Sequence, residues 1–362
     1  MRALTALCAA VLALLPTALA LAAAGAAAGY PDIQPGLALR FPDDEGSHPE
    51  FRTEWWYVTG WLATPDGQPL GFQVTFFRTR PALEAANPSA FAVRQLLIAH
   101  AAVSDPVRGR LWHEQRIARE GFGLAAAAVG RTDVHIRDWT LAAAGATLEA
   151  HVAAQEFGYA LRLERSQAPL ANGRGGYSQK GPLPTSASGY YSLPQLRVSG
   201  QVTRGRVTLP VTGSAWLDHE WSSAYLDADS TGWDWVGLNL ADGGALMAFR
   251  IRDRHGAQRW AGGTLRRADG SLVPFAPGEI AFEPGRRWRS PRTAVEYPVA
   301  WQLSAGALKL SLEPLMDDQE SDSRLTTGAI YWEGAVRASA AGRPVGRGYL
   351  ELTGYGEPLR LR

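Results

Sequence analysis

The stretch from Ser214 to Leu240 constrains the fold more than any other part of the chain. It reads Ser-Ala-Trp-Leu-Asp-His-Glu-Trp over 214–221 and Gly-Trp-Asp-Trp-Val-Gly-Leu-Asn over 232–239. A β-strand sends alternate side chains to opposite faces, so Trp216, Asp218 and Glu220 share one face while Leu217, His219 and Trp221 share the other. Each face carries a large aromatic ring beside an ionisable group. Such a strand has no plain solvent side, and covering it on both sides shifts the pKa of whatever it buries.

The same texture recurs upstream. Glu54–Leu62 and Leu70–Arg78 flank Pro65-Asp66-Gly67, whose Asp-Gly supplies the positive φ angles of a tight hairpin. Trp55, Tyr57 and Trp61 fall on one face of the first run, with Glu54, Trp56 and Val58 on the other. Further strand-sized runs follow at short intervals in both halves, separated by Gly, Pro and Asp. Helical periodicity is scarce, and only the Ala-rich segment Phe122–Val129 is expected as a short helix. Regular strands with turn signals predict an all-β chain closing into sandwiches or barrels.

The pattern stops between Ser166 and Pro194, a loop longer than ordinary connections. Tyr177, Tyr190 and Tyr191 are costly to leave in water, so the loop is expected to dock as a lid on a barrel mouth, with Lys180 facing a carboxylate or a polar ligand end. The alternative is a plain inter-domain connector. The boundaries predicted are a leader over 1–28, an extended arm over 29–50, and domains over 51–195 and 196–362.

In the leader, Arg2 precedes an apolar run from Ala3 to Ala24 with small residues at Ala18-Leu19-Ala20. A cleaved secretory signal is expected, giving a periplasmic or secreted protein; an uncleaved leader would instead associate it with the membrane or envelope. Cys8, the only cysteine, lies in this run, so a mature chain has no disulfide, thiol nucleophile or thiolate metal site. With 36 basic and 35 acidic residues, and Lys180 and Lys309 the only lysines, nothing predicts a nucleic-acid partner. The seven His lack helical metal spacing, and Asp318–Ser323 begins like a calcium loop without its sixth-position Gly or twelfth-position Glu. Neither a Gly-Xaa-Ser-Xaa-Gly elbow nor a phosphate-cradling Gly pattern is present, and no metal or cofactor is expected.

His219 is the candidate catalytic group, a histidine whose pKa is set by burial and a neighbouring carboxylate, with Trp221 on the same face. The plainer reading is a hydrogen-bonded core histidine. Asp234, between Trp233 and Trp235, joins them as a supporting group and needs a cationic partner such as Arg250 or Arg252. Asp218 and Glu220 point the other way and are expected to bond to the partner domain. The candidate ligand wall comprises Trp55, Trp56, Tyr57, Trp233 and Trp235, together with Tyr190, Tyr191 and Lys180 of the loop. Tyr331 with Glu333, and Tyr349 with Glu351, alternate onto common faces and extend it.

Eight segments in order carry a family resemblance: Glu54-Trp-Trp-Tyr57, His100–Asp105, Gly176–Lys180, Tyr190-Tyr-Ser192, Trp216–Trp221, Trp233-Asp-Trp235, Tyr331–Gly334 and Gly348–Tyr355. Together they cover nearly the whole mature chain, which resembles the lipocalin-like family of carotenoid 1,2-hydratases, kievitone hydratase and AttH. The resemblance implies two lipocalin-like β-barrels packed side by side. It also implies that His219 and Trp221 match a His–Trp pair used by the hydratases. Those enzymes further use a Tyr and an Asp two apart on the strand after Trp-Asp-Trp, where this chain reads Ala245-Leu-Met-Ala-Phe249 and has no acid. The function expected is an exported protein that binds a bulky hydrophobic molecule, such as a terpenoid, polyketide or lipid, in a barrel cavity. The alternative is a cofactor-independent hydratase or isomerase whose acid catalysis involves His219.

Overall fold

The computed structural model describes residues 29–82, 87–89 and 91–359. The leader expected over 1–28 lies outside these residues. The described chain is all-β, two lipocalin-like barrels side by side, with single-turn 3-10 segments at Asp43–Glu45 and Pro277–Glu279 as its only helical elements.

Thirteen described strands form the first sheet. The Trp55 strand (Thr53–Ala63) lies between Pro69–Thr79 on one side and the His219 strand (Val207–Ser222) on the other, all antiparallel. Gly67, at φ +81°, turns the first hairpin as its Asp-Gly predicts. Beyond the His219 strand come Ala187–Arg204 and Phe157–Glu164, and the sheet runs on to Ala125–Ala127. The far edge returns to Trp112–Arg119 through side chains rather than a ladder. Arg116 donates to the carbonyl of Ala153 at 2.9 Å, pairs with Asp138 and lies 4.3 Å from the Trp139 ring centre, while Gln155 N donates to Glu114 at 2.9 Å.

The second sheet has ten described strands. At its centre the Trp235 strand (Ser230–Leu240) pairs with Ala245–Asp253 and with the Glu351 strand (Arg343–Leu352), which pairs in turn with the Tyr331 strand (Ala329–Ala340). Its end strand, Ile280–Pro284, closes against Gln258, whose Nε2 donates to Ile280 O at 3.4 Å.

Three sequence expectations change. Ala125–Ala127 is a strand paired with Asp133–Ile136 rather than part of a helix, because ladder pairing outweighs the helix preference of a few alanines flanked by Gly121 and Gly123 at positive φ. The 166–194 segment is not one loop. Leu170–Ala171 and Tyr177–Gln179 pair with the strand Ala187–Arg204, which contains Tyr190 and Tyr191. The boundary drawn at 195/196 falls inside that strand, and the chain changes sheets between Ser222 and Ser230.

Alternation sorts the apolar residues into three cores. Trp56, Val58, Leu217 and Trp221 point into the first barrel, and Val236, Leu238, Trp332 and Leu350 into the second. Tyr57, Trp61, Trp216, Trp235, Phe249 and Tyr349 pack between the barrels. Each such ring contributes roughly 1.5–3 kcal/mol on burial. Trp61 Nε1 donates to Gly348 O at 2.9 Å across this contact. A side chain at Gly71 would meet Tyr349 Oη at 2.5 Å and Ala335 Cβ at 2.9 Å, so the close approach of the barrels requires glycine there.

Candidate functional site

The cavity lies between the two barrels and not inside either, which corrects the expectation of a barrel cavity. Among the described residues, each barrel interior carries its own cluster of buried apolar side chains. The first barrel sends Thr53, Trp55 and Tyr57, with Asp218 and Glu220 from the neighbouring strand, into a space of about 90 Å³. The second contributes Trp233, Trp235, Phe249, Tyr331, Glu333 and Glu351. Lys180, Tyr225 and Leu226 complete the wall. Thr53, Tyr225 and Leu226 also border a polar cleft of about 690 Å³ over the inter-barrel connection.

Four carboxyls and one ammonium face these rings. Asp218 accepts hydrogen bonds from Tyr190 Oη at 2.5 Å, Ser192 Oγ at 2.5 Å and Trp216 Nε1 at 2.6 Å. Burial nevertheless raises its pKa to about 7, with the charge of Glu220 adding to the shift against those hydrogen bonds. Glu220 pairs with Lys180 Nζ at 2.8 Å. The ammonium also lies 4.1 Å from the Phe249 ring centre, so Lys180 does face a carboxylate inside the site.

Glu351 and Glu333 are directly opposite each other on paired strands. Burial raises Glu351 to about 7, partly offset by the hydrogen bond from Trp233 Nε1 at 3.1 Å. Burial and the neighbouring Glu351 push Glu333 well above the usual carboxylate range, although the Tyr57 and Tyr331 hydroxyls beside it work the other way. Neither Glu333 Oε1 nor the buried hydroxyls of Tyr57 and Tyr225 have a partner at full hydrogen-bond geometry. The apolar wall is ordered around them. Trp55 stacks on Tyr225 at 4.5 Å and on Trp233 at 6.3 Å, and Tyr57 meets Trp235 edge-on at 5.3 Å.

The expected catalytic residues are elsewhere. His219 and Trp221 point into the first barrel, where His219 Nε2 lies 2.8 Å from Glu54 Oε1 and its ring stacks on Trp56 at 4.7 Å. Trp56 and Tyr191 share that interior. Asp234 is fully buried in the second barrel and accepts from Arg250 at 2.6 Å, Arg252 at 3.1 Å and Tyr355 at 2.9 Å. Both proposed arginine partners are therefore present, but the carboxylate does not reach the cavity. Of the expected ligand wall, Trp55, Tyr57, Trp233, Trp235, Lys180, Tyr331 and Glu333 line the cavity. Tyr190 stands behind Asp218, and Tyr349 packs between the barrels away from the lining. Asp218 and Glu220, assigned to inter-domain bonding, are cavity groups, and Tyr225, Leu226 and Phe249 went unrecognised. Alternation already grouped Asp218 and Glu220 with Trp216, and that was the signal for them.

Around Glu54 folding assembles a second polar cluster. Arg78 Nε donates to Glu54 Oε2 at 2.8 Å, and His48 Nδ1 and His219 Nε2 each lie 2.8 Å from Oε1. His48 stacks on Trp221 at 3.7 Å. The ligand atoms of His48, Glu54 and His219 lie within 4.8 Å of one another, close enough to share one cation, a proximity that sequence spacing did not reveal. In this structure hydrogen bonds and Arg78 already satisfy the carboxylate. Burial opposes the charge on His48, but Asp44 and Glu54 outweigh it and raise the imidazole to about 9. Because the folded value exceeds the unfolded one, the stabilisation is fully present below about pH 6.5 and is lost as pH rises through about 9. At about 1.4 kcal/mol per pKa unit this amounts to roughly 3 kcal/mol. Urea midpoints are expected to fall across that window, and the fall to disappear in His48→Gln; an unchanged slope in that variant would remove His48 as its source.

The sequence pattern of the AttH-like family matches residues 32–355. The crystal structure of a protein assigned as AttH from Nitrosomonas europaea is 51% identical, covers 90% of this chain and 100% of its own, and superposes with a TM-score of 0.85. Kievitone hydratase from Nectria haematococca is 15% identical over 88% of this chain and 94% of its own, with a TM-score of 0.68, a likeness of fold. No curated protein matches the sequence.

Proposed function

The chain belongs to the AttH-like family, and from that premise we propose that it is an exported, cofactor-independent acid–base enzyme of the hydratase or isomerase kind, acting on an unsaturated apolar molecule held between the barrels. The observation that carries this reading is the set of carboxyls with raised pKa facing aromatic rings in one cavity between the barrels. A carboxyl near 7 is half protonated at neutral pH, which suits a general acid. Glu351 gives its proton to an alkene carbon, and the faces of Trp55 and Trp233 stabilise the cation that develops on the neighbouring carbon. Water then adds to that carbon and its released proton returns to Asp218 or Glu351; in an isomerisation the cation instead loses a proton to the same carboxylates. The fold shared with a hydratase is compatible with this chemistry.

At about 90 Å³ the cavity is smaller than the roughly 300–1,000 Å³ typical of ligand pockets. A compact substrate fits the inner space, and a longer one extends past Tyr225 and Leu226 into the polar cleft. The aromatic wall also supports a second reading, a carrier of an apolar molecule. Incubating the protein with geraniol and farnesol in D₂O and in H₂¹⁸O separates the two. An enzyme leaves deuterium or ¹⁸O in the recovered compound, whereas a carrier quenches Trp fluorescence and returns it unlabelled. A compound that neither quenches nor acquires label counts against both.

A further inference from the structure

A chain of hydrogen bonds leads from the cavity wall to the surface across the contact between the barrels. Tyr331 places its hydroxyl 2.7 Å from His100 Nδ1. His100 Nε2 lies 2.9 Å from Thr326 Oγ1, which lies 2.6 Å from Gln115 Oε1. His100 and Tyr331 are buried, while Thr326 and Gln115 are half-buried at the outer end.

Donors and acceptors can be assigned from that outer end inward. Gln115 Nε2 donates to Asp322 O at 2.9 Å, so the amide turns its oxygen towards Thr326. An amide oxygen only accepts, and so does Ser323 O, the other acceptor near Thr326 at 3.3 Å; the threonine hydroxyl is therefore a donor outward and an acceptor towards His100. The proton of the imidazole then sits on Nε2, and Nδ1 accepts from Tyr331. Burial, with His113 nearby, depresses the His100 pKa to about 3 and keeps the ring neutral. Ser323 Oγ, at 3.4 Å, is the more distant polar neighbour of Nδ1. The single hydroxyl proton of Tyr331 lies among His100 Nδ1, the Ser321 and Ser323 hydroxyls and the adjacent Glu333 carboxyl. Given to His100, that proton is withheld from Glu333, which also faces Glu351, Tyr57 and Tyr349.

We propose that His100 is a positioning residue: holding Nδ1 as the acceptor for Tyr331, it keeps Glu333 in its acid form and links that acid to solvent through Thr326, whose hydroxyl Gln115 orients. This rests on the acid–base reading of the cavity for its purpose, but not for its geometry. When Glu333 ionises, its proton passes to Tyr331 Oη and the tyrosine proton to His100 Nδ1. The Nε2 proton passes to Thr326 and the threonine proton to water, so one proton leaves and the imidazole changes tautomer. Re-protonation runs the same steps backwards.

The test is NMR of the full folded protein labelled with ¹⁵N-histidine and ¹³C-glutamate, with His100→Gln and Glu333→Gln identifying the two residues. At pH 7 the wild type is expected to show His100 protonated on Nε2 and Glu333 protonated. Thr326→Val keeps the side-chain shape but removes the outer partner of Nε2; it is expected to move His100 towards the Nδ1–H form and to lower the Glu333 titration midpoint. An Nδ1–H tautomer in the wild type overturns the proposal, as does an ionised Glu333 at pH 7, or a Thr326→Val protein in which neither signal moves. These signals need no substrate. The expected tautomer without any turnover therefore sinks the acid–base reading alone, whereas turnover with the Nδ1–H tautomer sinks only the role of His100.

Discussion

Glu54→Leu is expected to destabilise the protein by about 3–5 kcal/mol, because it strips the partner from a buried guanidinium. Arg78 is 1% exposed and its Nε donates to Glu54 at 2.8 Å. Its remaining bonds run to the carbonyls of His48 and Phe51 and to Gln95 Oε1, all neutral acceptors. The same carboxylate receives Ser47 Oγ at 3.1 Å and the backbone N–H of His48 at 2.9 Å, so its loss also loosens the arm that covers this end of the first barrel. Burial alone would raise the Glu54 pKa, but Arg78 and the two histidines hold it well below the usual carboxylate range. Such a group adds stability above its unfolded pKa that is lost as pH falls through the folded value, so the network holds until the pH is well below the usual carboxylate range. Equilibrium urea unfolding gives the size of the effect. The double variant Glu54→Leu/Arg78→Met is expected to recover part of the loss, since it removes the stranded charge. A double variant no more stable than Glu54→Leu would show that shape, rather than charge, accounts for the cost.

The second large effect belongs to the cavity. Glu351→Gln keeps the side-chain size and can still accept from Trp233 Nε1, but it has no acid proton, so turnover of any labelled compound should fall by about 10²–10⁴ while binding persists. The pH profile follows from the same group. With a pKa raised to about 7, the acid form is present below that value, and the rate should decline as pH rises through it. His219→Gln is the control, because His219 touches Glu54 and Trp56 rather than the cavity. Its turnover per folded molecule should stay within a few-fold of wild type even though its stability drops. A rate lost with His219 and kept with Glu351 would reverse the assignment. Comparing quenching of Trp fluorescence by farnesol in both variants separates lost binding from lost chemistry.

Much of the architecture was legible in the chain. Asp66-Gly67 marked the first hairpin, strand-sized runs marked an all-β fold, and eight ordered motifs pointed to paired barrels. Alternation also grouped side chains correctly. Trp55 does lie with Tyr57 and Trp61, and Asp218 with Glu220, each set opposite the set that contains Trp56 or His219. The first part of the strand Ala187–Arg204 reads as loop because Gly189 and Pro194 resemble turn chemistry, whereas ladders on both sides hold it extended.

What the sequence by itself determined is therefore the period of the strands and the membership of each face. Only the tertiary structure decided which face meets a cavity. In a strand with one solvent face the polar side identifies itself, but Thr53–Ala63 and Val207–Ser222 are apolar on both faces near the site and carry ionisable groups on both. Docking of the second barrel breaks that tie. It leaves Glu54 paired with Arg78 and hydrogen-bonded to His219 inside the first barrel, and it brings Glu333 and Glu351, more than a hundred residues away in sequence, against Asp218 and Glu220 in an apolar space. Burial then raises the carboxyls that face this space, because desolvation depends on what covers a group and not on what precedes it in the chain.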